Sequence, residues 1–312
     1  MNIFEYREEA NMNENSTQEE ALSIKDLTIY PKSQTPLDPE LRGLGAPEIK
    51  IQPLQFSKFS KWNIIGASVQ GTAHIKSNLP CQDAHNYKIV QDLAVILAVA
   101  DGLGSALKSH EGARLATNIA VATIESTITE NIPVDEESWI QVIRNSFSQT
   151  QSKLKAYAEE NNTSLREYGT TLIVVVVTDE FLAIGHIGDG SAVALFEDES
   201  LVTICPPQKT EYINQVAPLT LPNALEIARF SVQKTKIKSL AIFSDGIQHL
   251  SINNLDHTPY VGFFIPLFNQ ISMIEDSYAA SQSLADFLAS ERVCSKTDDD
   301  KTLILIGRKT KV

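Results

Sequence analysis

The sequence predicts an α+β domain in which β-sheets pack together and helices lie outside them. Three observations predict it. Apolar runs at 93–100, 170–178 and 240–243 read as strands, the first of them buried on both faces. Two helical stretches fall side by side between runs of strands. Strands follow one another through short turns, Asp179-Glu180 among them. A doubly wound parallel sheet needs regular alternation of strand and helix, and that alternation is absent.

Residues 1–60 are rich in Asn, Glu, Ser and Gln, then hold five of the thirteen prolines. Few large apolar residues offset the entropy of ordering, so an extended or disordered arm is expected. The folded domain is expected over 61–312. Trp62–Val69 reads as the first strand, and Leu93–Ala100 as a strand ending in an Asp101-Gly102 turn. Ala113, Ala116, Ala120, Ile124 and Ile128 then recur at helical spacing. So do Trp139, Val142, Ile143, Phe147, Leu154 and Tyr157. Thr170–Thr178, with four consecutive valines, begins a meander that continues through Phe181–Ile187, Ser191–Phe196 and Leu201–Ile204. Residues 205–230 mix Pro, Gln, Asn and charges and predict a loop or flap. Leu240–Phe243 is a short strand, Glu275–Ser290 a last helix, and Thr302–Ile306 a closing strand.

Composition narrows the function classes. A net charge of −13 opposes a nucleic-acid binder, which needs a basic face, and equally an anionic membrane surface. No apolar run is long enough for a membrane span. The amino terminus is acidic and polar, without the basic and apolar regions of a secretory signal. Cys81, Cys205 and Cys294 are few, odd in number and widely spaced. That is neither a disulfide framework nor a thiolate zinc site. A cytoplasmic location is expected.

Four aspartates carry the chemistry. Asp83 precedes the segment Ala84–Val90, Asp101 ends Leu93–Ala100, Asp245 follows Leu240–Phe243, and Asp299 precedes Lys301–Ile306. Each sits at the end of a strand, where stiff backbone holds a carboxylate. Hard divalent cations such as Mg²⁺ and Mn²⁺ take oxygen ligands of this kind. One Asp-Gly after a strand is ordinarily just a turn, so spacing alone leaves both readings open.

An ordered set of motifs resembles the metal-dependent PPM, or PP2C-like, serine/threonine protein phosphatases. Pro80-Cys81-Gln82-Asp83-Ala84 resembles the first motif and is most similar to a bacterial branch with a Pro-Cys-Gln-Asp segment. Asp101-Gly102-Leu103-Gly104 resembles the second, and Gly169-Thr170-Thr171 and Gly188-Asp189-Gly190-Ser191 resemble the next two. Phe243-Ser244-Asp245-Gly246 and Asp299-Asp300-Lys301-Thr302 resemble the last metal motifs. The resemblance implies a β-sandwich of two antiparallel sheets flanked by helices. It implies two Mn²⁺ or Mg²⁺ ions that activate a water against a phosphorylated protein substrate. Asp101 would bridge the ions with the Gly102 carbonyl beside it. Asp245 and Asp299 would complete the second ion, and Asp83 would act through water. Asp189 would join Asp245 at a third site.

Departures from the pattern bear on phosphate. Gln82 stands where glutamate is usual, and Asn78 occupies the ungapped position of the phosphate-binding arginine. Either His74 or Lys76 takes over that grip, given a longer loop here, or both are surface residues. His249 is expected to be a loop residue rather than a ligand, His85 and His186 to be hydrogen-bonded core residues, and Cys81 a buried thiol. The competing function classes are a pseudophosphatase acting as a binding module, and an output module recruited by a regulatory partner through residues 1–60.

Overall fold

A computed structural model of the protein describes residues 49–50, 61–208 and 216–310. Its strands are β1 (Ile49–Lys50), β2 (Trp62–Val69), β3 (Asp83–Val90), β4 (Ala94–Asp101), β5 (Leu172–Thr178), β6 (Phe181–Ile187), β7 (Ser191–Phe196), β8 (Leu201–Cys205), β9 (Arg229–Lys234), β10 (Ile237–Phe243) and β11 (Lys301–Arg308). They form two antiparallel sheets, ordered β1-β2-β11-β10-β7-β8 and β3-β4-β5-β6-β9. The helices are α1 (Thr72–Ser77), α2 (Ser109–Glu130), α3 (Glu136–Glu160), α4 (Ala224–Ile227), α5 (Gln248–Ser251), α6 (Val261–Ile271), α7 (Ser277–Leu288) and α8 (Glu291–Cys294).

The layers follow from the period of the strands. Along β4, Ala94, Ile96, Ala98 and Ala100 face the helices α2 and α3, while Val95, Leu97 and Val99 face the other sheet. β5 repeats this with Leu172, Val174 and Val176 on one face and Ile173, Val175 and Val177 on the other. In the second sheet, Leu303 and Leu305 of β11 pack under α6 and α7, whereas Ile304 and Ile306 enter the inter-sheet core. A strand covered on both faces has no polar face to show, so its sequence is a continuous apolar run. The expected sandwich flanked by helices is the fold observed.

Other expectations met different outcomes. Of residues 1–60, only β1 is described, and it pairs with β2, Ile49 opposite Val69. The remainder of the predicted arm lies outside the described residues. The predicted flap at 205–230 is corrected in part: it contains α4, and β9 begins at Arg229. β9 is an edge strand that buries only one half-face, through Phe230 and Val232. Two apolar residues among polar ones give too short a pattern to stand out. The helix α6, which carries Gly262 and Pro266, also escaped the pattern because those residues read as breakers.

Candidate metal centre

The strand ends converge at one end of the sandwich. β3 and β4 pair so that Asp83 lies directly opposite Asp101. Asp245 leaves the end of β10, and Asp299 stands just before β11, the neighbour of β10 in the other sheet. Asp189 sits in the turn by which β6 of one sheet passes to β7 of the other. Gly188 takes a φ of +116°, a left-handed value that glycine adopts without strain. Asp101, Asp189 and Asp245 each offer a carboxylate oxygen, and these oxygens all lie within 4.8 Å of one another. Asp299 is exposed, yet its charge acts on all three. The compact triad thus includes Asp189, with Asp83 and Asp299 flanking it.

Burial and mutual repulsion make the carboxylates of this cluster hold their protons more tightly. Asp101 is held well above the usual carboxylate range by burial and by the charges of Asp83, Asp245, Asp189 and Asp299. Burial, then Asp189 and Asp299, push Asp245 up to about 7. Burial raises Asp189 as well. Asp83 is also raised, by burial and then by Asp300 and Asp245, against the opposing hydrogen bond from Ser244. One buried oxygen of Asp83 and one of Asp189 have no hydrogen-bond partner. Oxygen donors that repel one another and lack partners fit a hard divalent cation, which relieves both costs.

A polar framework fixes these carboxylates. Asp101 N–H donates to Thr171 Oγ1 at 2.9 Å, and the Asp101 carbonyl accepts from Thr171 N at 2.8 Å and Thr170 Oγ1 at 3.0 Å. The Gly-Thr-Thr segment therefore aims the peptide of Asp101. Ser244 Oγ donates to Asp83 Oδ2 at 2.7 Å and accepts from Thr302 N at 3.0 Å, which ties the two sheets together. Gly102 packs on the first residue of α2: a Cβ there would lie 2.7 Å from Ser109 Cβ. Gln248 donates to the carbonyl of Asp189.

The segment between β2 and β3 shows a contact that sequence reasoning missed. Asp300, only 2% exposed, accepts from Gly71 N at 2.6 Å and from Gln82 N. His74 Nδ1, on α1, lies 2.9 Å from Asp300 Oδ2, at an angle short of a hydrogen bond. Lys76 is exposed on the same helix, and Asn78 closes α1 in a left-handed conformation. The only signal for Asp300 was its place in the motif beside Asp299. His249 is exposed and pairs with Asn254, His85 is buried against Ser68, and His186 is buried and lowered to about 4 by its burial. Cys81 is buried, with its thiol toward the Asp83 carbonyl.

Comparison with known proteins identifies the family and the fold. The family model for protein phosphatase 2C matches residues 70–289. Serine/threonine-protein phosphatase 3 of Escherichia coli K12 is 33% identical over 251 residues, which cover 78% of this chain and 97% of the relative. The catalytic domain of the phosphatase PstP, solved with two manganese ions, superposes with a TM-score of 0.54 at 16% identity. That match covers 80% of this chain and 99% of the other. A serine/threonine phosphatase of S. agalactiae superposes with a TM-score of 0.55 at 15% identity, covering 80% and 100%. At such identities the two solved structures speak for the fold.

Proposed function

The chain belongs to the protein phosphatase 2C family, and from that premise we propose that it is a metal-dependent serine/threonine protein phosphatase acting on phosphorylated proteins. The observation that carries the reading is the acidic triad of Asp101, Asp189 and Asp245, none of which takes part in an ion pair among the described residues. Asp101, Asp245 and Asp299 would hold two Mn²⁺ or Mg²⁺ ions with the Gly102 carbonyl, and Asp189 with Asp245 a third. Such ions, when bound, supply Lewis acidity and neutralise phosphoryl charge. Asp83 is kept in place by Ser244 for a role through ordered water. Thr170 and Thr171 keep the Asp101 peptide fixed while charge changes beside it. No protein nucleophile enters, and the buried Cys81 takes no part. His74 or Lys76 would grip phosphate. Of the two, His74 is favoured because its Nδ1 lies 2.9 Å from the buried Asp300 beside Asp299, whereas Lys76 takes part in no ion pair among the described residues.

The test is manganese-stimulated hydrolysis of p-nitrophenyl phosphate, with Asp101→Asn as the control. Turnover by the unaltered protein, reduced to background in the variant, is expected. Equal rates, or none in either, sink the reading in favour of a pseudophosphatase, for which the missing arginine and Gln82 already speak.

A regulatory partner recruited through residues 1–60 and a cytoplasmic location complete the proposal. The composition of the arm supports the first, and three cysteines without a disulfide support the second. Deletion of 1–48, which spares β1, should leave small-substrate turnover intact and change dephosphorylation of proteins in a cell extract. No change in either assay rejects the partner. Recovery of the protein outside the cytoplasmic fraction rejects the location.

A further inference from the structure

The loop between β2 and β3 is clamped to the acid loop before β11, and the clamp is one carboxylate. Asp300 Oδ1 takes the N–H of Gly71, at the start of the loop, and Oδ2 takes the N–H of Gln82, at its end. Between these two points stands α1 with His74. Ala73 N–H adds a bond to the carbonyl of Asp298 at 2.9 Å. Gly71 is packed so closely that a Cβ would lie 2.3 Å from the carbonyl carbon of Asp299. The loop therefore cannot shift without moving the metal-site residue Asp299 as well.

His74 completes the arrangement. Its Nδ1 has no accessible surface and faces Asp300 Oδ2 at 2.9 Å, while the side chain as a whole is 17% exposed. The accessible area belongs to other atoms of the side chain. The carboxylate oxygen faces Nδ1 and so sets the ring's orientation, which leaves Nε2, when protonated, as the donor for a further partner. An amide at position 300 could not do the same. Its NH₂ would meet one of the donors that the second carboxylate oxygen now accepts.

We infer that Asp300 is a positioning residue for phosphate recognition: it holds the loop 71–82 and orients His74 as the phosphoryl-gripping side chain. The inference rests on the phosphatase reading above and names how the same site takes its substrate. In this chain the pair is an aspartate at 300 and a histidine at 74.

The test compares Asp300→Asn, His74→Ala and the double variant in the manganese-loaded full chain. KM and kcat for p-nitrophenyl phosphate, inhibition by inorganic phosphate, and manganese affinity by calorimetry are measured for each. Each single variant should raise KM and the phosphate inhibition constant about tenfold, the order of one lost charge-assisted contact. The double variant should be no worse than the singles, because the two residues act as one unit. Manganese affinity of His74→Ala should stay within about twofold of the unaltered protein. A phosphate inhibition constant unmoved in either single variant, or independent effects that multiply in the double, overturns the inference while leaving the phosphatase reading intact. No manganese-stimulated turnover in the unaltered protein overturns both. If Asp300→Asn does not fold, His74→Ala alone decides: an unchanged phosphate inhibition constant overturns the assignment.

Discussion

At the scale of single residues, the acidic centre depends on side chains that never reach a ligand. Ser244 is the plainest case. Its hydroxyl serves Asp83 on one sheet and the Thr302 N–H on the other, and it is 1% exposed. Ser244→Ala takes a donor from the buried Asp83 carboxylate and leaves the buried Thr302 N–H without the hydroxyl it donates to. The expected cost is about 1–3 kcal/mol of stability, read from urea denaturation of the metal-free protein. A change within about 0.5 kcal/mol, the range of a neutral surface substitution, shows that the link between sheets is not held here. Ser244 was visible in the sequence as part of Phe-Ser-Asp-Gly, but its two partners were not. Asp83 is 161 residues away from it.

At the scale of elements, packing between β6 and α3 is close enough to forbid a methyl group. Gly185 lies among residues buried from both sides, and a Cβ there would come within 2.5 Å of Ile143 Cγ2 and Phe147 Cε2. Both neighbours are fully buried, so neither has room to yield. Gly185→Ala should therefore cost about 1–3 kcal/mol, measured as a lowered denaturation midpoint. Adding Phe147→Leu should restore part of it. A stabilised Gly185→Ala protein contradicts this packing. The buried strands and the two long helices were legible because each writes a period into the sequence. β9 and α6 were not. One is a half-buried edge strand, and the other carries Gly and Pro inside a helix that burial of four phenylalanine and leucine side chains still supports.

The whole molecule brings carboxylates from both sheets together and holds them against their own repulsion. Asp83, Asp101, Asp189 and Asp245 keep their protons more tightly in the folded chain than in the unfolded one. From the ordinary aspartate range near about 4 up to about 7, the value for Asp245, the folded metal-free protein binds more protons than the unfolded chain. Its stability must then fall as pH rises through that window. His186, lowered to about 4, acts in the opposite direction below its ordinary range, but it is one group against these four and Asp299, which burial also raises. The melting temperature of chelator-treated protein is expected to drop between pH 5.5 and 7.5, with a shallower drop in Asp245→Asn. Saturating manganese should remove the drop, since it replaces the protons. A melting temperature that rises through pH 7 without metal refutes the account.

Sequence by itself determined the sandwich class, the long helices and the acids at strand ends. Burial on both faces, helical spacing and ordered motifs are all local signals. Tertiary structure alone decided that Asp83 faces Asp101 across β3 and β4, that Asp101 lies as close to Asp189 as Asp245 does, and that Asp300 clamps Gly71 from 229 residues away. The physical reason is that hydrophobic period records whether a residue is buried, but carries no record of which distant strand or loop will be buried against it.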